Sequence, residues 1–119
     1  MAISATDPTQ SVLEAAMRGA ELNQTLLTSD LANADTANFQ PSSVNFQQQL
    51  ATAMNAGTPA EQVGFAPTTA AQTTNANGNG VSSDQTSADL AQNGLLYDAF
   101  AEVLAAHNQT LQFAMGIGV

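Results

Sequence analysis

The chain has 119 residues, with one strong base (Arg18), ten acids and no cysteine, for a net charge of -9. A single arginine leaves no basic surface for nucleic acid or anionic lipid. The missing thiols exclude disulfide staples, thiolate metal sites and thiol catalysis, and say nothing about compartment. Alanine supplies 23 of the apolar residues, so about a quarter of the chain remains as larger apolar anchors, enough for one small domain of closely approaching helices.

The N-terminal segment Met1-Ala2-Ile3-Ser4-Ala5-Thr6 has neither a basic region nor an apolar stretch. We expect no cleavable signal peptide, and no run approaches the roughly 20 apolar residues of a membrane span. The first helix is predicted over 8–34. Asp7-Pro8 reads as an N-cap followed by the ring that suits the first helical position, with Ser11 to Glu14 as a rival capping box. Leu13, Met17, Ala20, Gln24, Leu27, Leu31 and Ala34 then recur at alternating spacings of four and three, a heptad seam with one polar break. Glu14 and Arg18 are placed to form an i, i+4 ion pair. Gly19 costs this helix about 1 kcal/mol relative to alanine.

Asn38 to Pro41 reads as a turn, and Val44 to Ala56 as a shorter helix stopped by Gly57. Residues 57–80 hold a single charge, Glu61, and few anchors beyond Val63 and Phe65. They are expected to form a flexible, poorly structured central segment. Asn75-Ala76-Asn77-Gly78-Asn79-Gly80 lacks the carboxylates of a calcium loop and reads as a flexible turn. The last helix begins near Asp84, capped by Ser82 or Ser83, and ends at Gly116 and Gly118. Its seam runs Leu90, Gly94, Tyr97, Ala101, Leu104, Asn108, Leu111, Met115, and Leu96, Phe100 and Val103 widen the apolar face.

The fold class follows as all-α: an antiparallel coiled pair of long terminal helices, a short middle helix and the central segment. The organisation is an N-terminal helix and motif over 1–38, a middle region over 39–81 and a C-terminal helix over 82–119. One register aligns the two polar breaks, Gln24 with Asn108, and brings Met17 to Met115, Ala20 to Leu111, Leu27 to Leu104, Leu31 to Ala101 and Ala34 to Tyr97. The alternative is two independent amphipathic helices packing on a third body.

Chemistry-bearing groups are few. His107 is the only histidine and has no serine or cysteine partner at a recognisable spacing. Asp98 and Glu102 lie at i, i+4, and two carboxylates alone do not make a cation site. Asn23-Gln24-Thr25 and Asn108-Gln109-Thr110 match a glycosylation sequon, each within a predicted helix. The expectation is no catalytic residue, no metal, no cofactor and no enzymatic activity.

One segment is more specific. Leu31-Ala32-Asn33-Ala34-Asp35-Thr36-Ala37-Asn38-Phe39, followed by Val44-Asn45-Phe46, resembles the signature of the flagellar basal-body rod protein family, in which N-(I/L)-A-N-A-D-T-P-G-(F/Y) precedes a D-(V/I)-D-F element. Gly80-Val81 with Leu90-Ala91-Gln92-Asn93-Gly94-Leu95-Leu96-Tyr97 is similar to that family's N-x-V-D…A-x-N-S-L-x-Y pattern. The short length and late final helix fit its proximal members best. Here Ala37-Asn38 stands for the usual Pro-Gly, Ser29-Asp30 where an asparagine is common, and Asn45 for an aspartate. Asn38 can adopt the left-handed conformation of the missing glycine.

The resemblance implies a structural subunit of the bacterial flagellum basal body, exported by the type III route and assembled into a helical tube with other rod subunits, ring or adaptor proteins and the export gate. It assigns Asn33, Ala34, Asp35, Thr36, Phe39 and Phe46 to the motif, with the seam residues carrying packing within and between subunits. A sister rod subunit and a non-flagellar helical-hairpin binding module or export partner are the alternatives.

Overall fold

The computed structural model describes residues 7–69 and 74–116. The chain is mostly helical: α1 (Pro8–Ala32), α2 (Phe46–Asn55) and α3 (Ser83–Ala114), with a 3-10 turn at Ala60–Gln62 between α2 and α3. Two short strands, β1 (Ser42–Ser43) and β2 (Thr68–Thr69), pair antiparallel with Ser42 opposite Thr69, a small sheet that the all-α expectation lacks.

Helix ends follow local chemistry. Asp7 accepts the Thr9 N–H at 3.1 Å and Pro8 occupies the first helical position, so α1 starts there; Ser11, in the rival capping box, is buried within the helix. Asn45 caps α2 by accepting the Gln48 N–H, and its side-chain Nδ2 donates to the Gln48 side-chain oxygen at 2.9 Å. Ser82 caps α3, and Gly116 ends it with φ at +73°. Gly118 lies outside the described residues.

α1 and α3 lie side by side with their contacts in opposite chain order. Asp7 meets His107, Ala20 and Gln24 meet Asn93, and Leu27 and Asp30 share a cavity wall with Gln85, Thr86 and Asp89. This differs from the expected register. Gln24 bonds Asn93, fifteen positions before Asn108, or about 22 Å along the helix at 1.5 Å per residue. The seam spacing of Gln24 is thus satisfied by a different amide. Val103, expected on the inner face with Leu96 and Phe100, is instead 53% exposed.

The core lies where α2 and the 3-10 turn cover one side of this pair. Ala15, Ala16, Leu50, Ala60 and Val63 form one cluster; Ala20, Val44 and Phe46 form a second, with Leu26, Leu96 and Phe100 against it. Gly19 makes the second cluster possible. A Cβ there would run into the Cβ and ring of Phe46, which meets Phe100 edge to face at 6.1 Å. The helix-propensity cost of Gly19 is offset by burial of a phenylalanine, of order 2–3 kcal/mol.

Part of the central segment departs from the flexible reading. Ala60 and Val63 are buried, and Gln49 brackets Ala66 by donating to its carbonyl and accepting its N–H, both at 2.9 Å. Arg18 donates to the carbonyls of Ala60 (3.2 Å) and Val63 (3.4 Å) and makes no ion pair with Glu14. The expected i, i+4 pair loses because the guanidinium satisfies two carbonyls at the end of the turn, a better use of its planar donors than a solvent-exposed carboxylate. The molecule is a slab with extents of 62 × 31 × 14 Å, little thicker than one helix.

Candidate functional site

The N-A-D-T motif forms the exit from α1. Asn33 is the residue after the helix; its side-chain amide donates to the Ser29 carbonyl at 2.8 Å, and its Oδ1 accepts the Thr36 hydroxyl at 3.1 Å. The Ser29 carbonyl keeps the Asn33 N–H as well, and beyond it the backbone bonds shorten to i-3, Ala34 N–H to Leu31 and Thr36 N–H to Asn33, so the helix stops and the chain turns. Asn38 follows with φ at +62°, the left-handed conformation expected for it. Ala34 and Phe39 are half-buried and Asp35 and Thr36 exposed, while Phe46 lies in the core.

A second turn clasps the first. Asn79, fully buried, donates its Nδ2 to the carbonyls of Asn33 (2.8 Å) and Thr36, and its Oδ1 accepts the Val81 N–H at 2.7 Å. Around it the Asn38 N–H donates to the Asn77 carbonyl, and the Gly80 N–H to the Phe39 carbonyl. Gly78, with φ at +79°, lets the backbone pass against the Asn38 side chain. The Asn-Gly stretch read as a flexible turn is a turn, and its asparagine is the most deeply buried polar side chain described. One side chain therefore joins the end of α1 to the start of α3.

A polar layer crosses the helix pair one level away. Asn93 donates to the Ala20 carbonyl and the Gln24 side chain, both at 2.8 Å, and accepts from the Asn23 amide at 3.1 Å; Asn23 in turn accepts the Val44 N–H. Nearby Asp30, buried, accepts the Ser42 N–H at 3.1 Å. Burial pushes its carboxyl above the usual aspartate range, against the lowering by the Ser42 N–H. At the far end, His107 and Asp7 approach to 2.6 Å; the hydrogen bond from His107 holds the Asp7 carboxyl below its ordinary range.

The assembly seam is divided. Ala20 and Leu27 are buried within the chain; Leu13, Met17, Gln24, Leu31, Tyr97, Ala101, Leu104, Asn108 and Leu111 are half-buried, and Met115 is exposed. Asp98 and Glu102 face solvent, and no group of three metal-ligating side chains occurs among the described residues. Asn79, Asn93 and Asp30 went unassigned by sequence reasoning. The available signal was the density of asparagine beside glycine at 75–80, side chains suited to capture backbone groups in turns.

No protein-family model matches the chain, and no curated protein matches it.

Proposed function

We propose that this chain is a structural subunit of the bacterial flagellar basal-body rod, most similar to the proximal rod protein FlgB. It acts by assembly: α1 and α3, taken as an antiparallel coiled pair, pack with the terminal helices of neighbouring subunits into a helical tube. That tube transmits torque and surrounds the export channel, in contact with other rod subunits and with ring, adaptor and export-gate proteins. Delivery is by the type III route.

The observation that carries this reading is a slab one helix thick whose α3 leaves large apolar side chains, Leu95 and Phe113 among them, on its open face. Burial of these side chains by neighbouring subunits completes the fold. The N-A-D-T resemblance supplies the family. In addition, the Asn79 clasp gives the motif a physical role: it sets the angle at which the chain leaves the helix pair. Deleting the gene should abolish flagella and leave the export machinery without a rod. Normal swimming in the deletion strain would refute the assignment in favour of a helical binding module.

A further inference from the structure

The open face of α3 is a continuous stripe. Leu95, Ala99, Val103, Ala106, Thr110 and Phe113 recur at spacings of four and three and are all exposed, Leu95 at 72% and Phe113 at 63%. The stripe lies about 100° around the helix from Asn93, Phe100 and His107, which turn toward α1 or the core. It has the width and periodicity of a coiled-coil seam. Two exposed acids stand along one flank of it: Glu102, about 20° around the helix outside the line of Leu95 and Phe113, and Asp98, about 60° outside it.

Charge decides what covers it. The chain has ten acids and one strong base, and that base, Arg18, is engaged by the carbonyls of Ala60 and Val63. Its one histidine is bonded to Asp7. A second copy therefore brings no free basic side chain to Glu102. Antiparallel pairing of two stripes about the stripe centre leaves the two Glu102 side chains within about 6 Å along the axis, and parallel pairing leaves each Glu102 at a seam flank where the other copy offers no basic side chain. Either arrangement places like charges beside a desolvated seam.

We propose that this stripe docks a helix of a different protein, one that carries lysine or arginine beside its own apolar seam to meet Glu102 and Asp98. The inference rests on the assembly reading and goes further by naming the chemistry of one neighbour. Contacts between copies then use the other faces of the slab.

The test uses the intact protein with two designed amphipathic helices that share one leucine and isoleucine seam, one flanked by lysine and the other by glutamate. The lysine peptide should shift the amide resonances of Leu95, Val103 and Phe113, and should bind about tenfold tighter than the glutamate peptide, with the advantage shrinking as salt is added. Val103→Asp, at an exposed position, should remove binding while circular dichroism stays unchanged, and Glu102→Gln should weaken it several-fold. Equal binding of both peptides, resonance shifts elsewhere on the acidic surface, or binding that survives Val103→Asp would overturn the proposal. So would sedimentation showing a dimer at low salt that Val103→Asp dissociates. In cells, a deletion strain without flagella that swims normally when complemented by the Leu95→Asp, Val103→Asp chain would sink this inference and leave the rod assignment standing.

Discussion

Removing the Asn79 side chain isolates the clasp from the rest of the fold. Asn79→Ala deletes two bonds to the carbonyls of Asn33 and Thr36 and one from the Val81 N–H. The carbonyls each keep a partner, since Thr36 N–H donates to Asn33 and Phe39 N–H to Thr36. The Val81 N–H does not, and Val81 is only 4% exposed. Three net bonds at about 1 kcal/mol each, with a further 1 kcal/mol or more for the stranded N–H, give a loss of about 3–5 kcal/mol. That is a large share of the 5–15 kcal/mol typical of a whole domain, about the lower end of which a thin slab is expected to have. Urea unfolding followed by far-ultraviolet circular dichroism measures it directly. Asn79→Asp tests the polarity as well as the size. It keeps the shape but aims an acceptor at two carbonyls, so the introduced carboxyl has a raised folded-state pKa. Relative to the parent, that variant should regain stability as pH falls from neutral toward about 4, because the folded state then binds more protons than the unfolded one. A loss under about 1 kcal/mol for Asn79→Ala, or no acid recovery for Asn79→Asp, would refute the clasp.

Gly19→Ala gains about 1 kcal/mol in helix propensity but drives a methyl into Phe46; a net loss of about 1–3 kcal/mol in urea unfolding is expected, and a more stable variant would show that Phe46 does not need the gap. Asn93→Ala removes three bonds across the polar layer and should cost about 2–3 kcal/mol, with Gln24→Ala adding less than its single-mutant cost in the double variant. Additive costs would mean that the two amides do not share a bond. The two perturbed aspartates should move acid stability in opposite senses. Asp7, lowered by His107, contributes stability present above about pH 4 and lost as pH falls through its depressed value, so Asp7→Asn should flatten that acid loss. Asp30, raised by burial, disfavours the fold once ionised, so Asp30→Asn should remove a gain in stability that the parent shows as pH falls through the raised value. Unfolding midpoints measured across the acid range separate the two.

Helix positions were legible because their end signals are local. Asp7-Pro8 and Ser82 act on backbone groups within three residues, and no distant contact is needed to read them; Asn45 caps in the same way but went unread as a cap, and the expected middle helix begins at Val44 instead. The register of α1 against α3 was not legible, for a specific reason. A seam of Ala20, Ala34, Gly94 and Ala101 among leucines tolerates many alignments, and the observed one differs by fifteen positions, two heptads and one residue, because Asn93, just beside the predicted seam, is the residue turned toward α1. The choice is made by Asn93, whose three bonds need Ala20, Asn23 and Gln24 opposite it. On sequence it is one polar residue among several on a helix. The middle of the chain was misread because composition counts apolar anchors. Its order comes instead from amides that close backbone groups, Gln49 on Ala66 and Asn79 on three positions, together with the few apolar residues that do bury, Ala60, Val63 and Val81. In the candidate site, the motif turn was readable from Asn33 to Asn38, and its partner turn was not, since the pairing spans more than 40 residues of chain.

The Asn79 clasp also makes the two ends of the helix pair unequal. At the motif end, α1 and α3 are laced by bonds from Asn79, Asn77 and Gly80, and the Asn93 layer follows soon after. At the other end α3 continues past the start of α1, and the Asp7–His107 contact is the one polar link between the two helices there among the described residues. Opening free energies should therefore fall along α3 from its first turns toward Ala114. Amide hydrogen exchange should read as a gradient, slow at Asn93 and Leu96 and fast beyond His107. A subunit built this way keeps a fixed base at the motif and a distal helix end whose backbone breathes easily, so that a neighbour arriving at that end meets a surface still able to adjust.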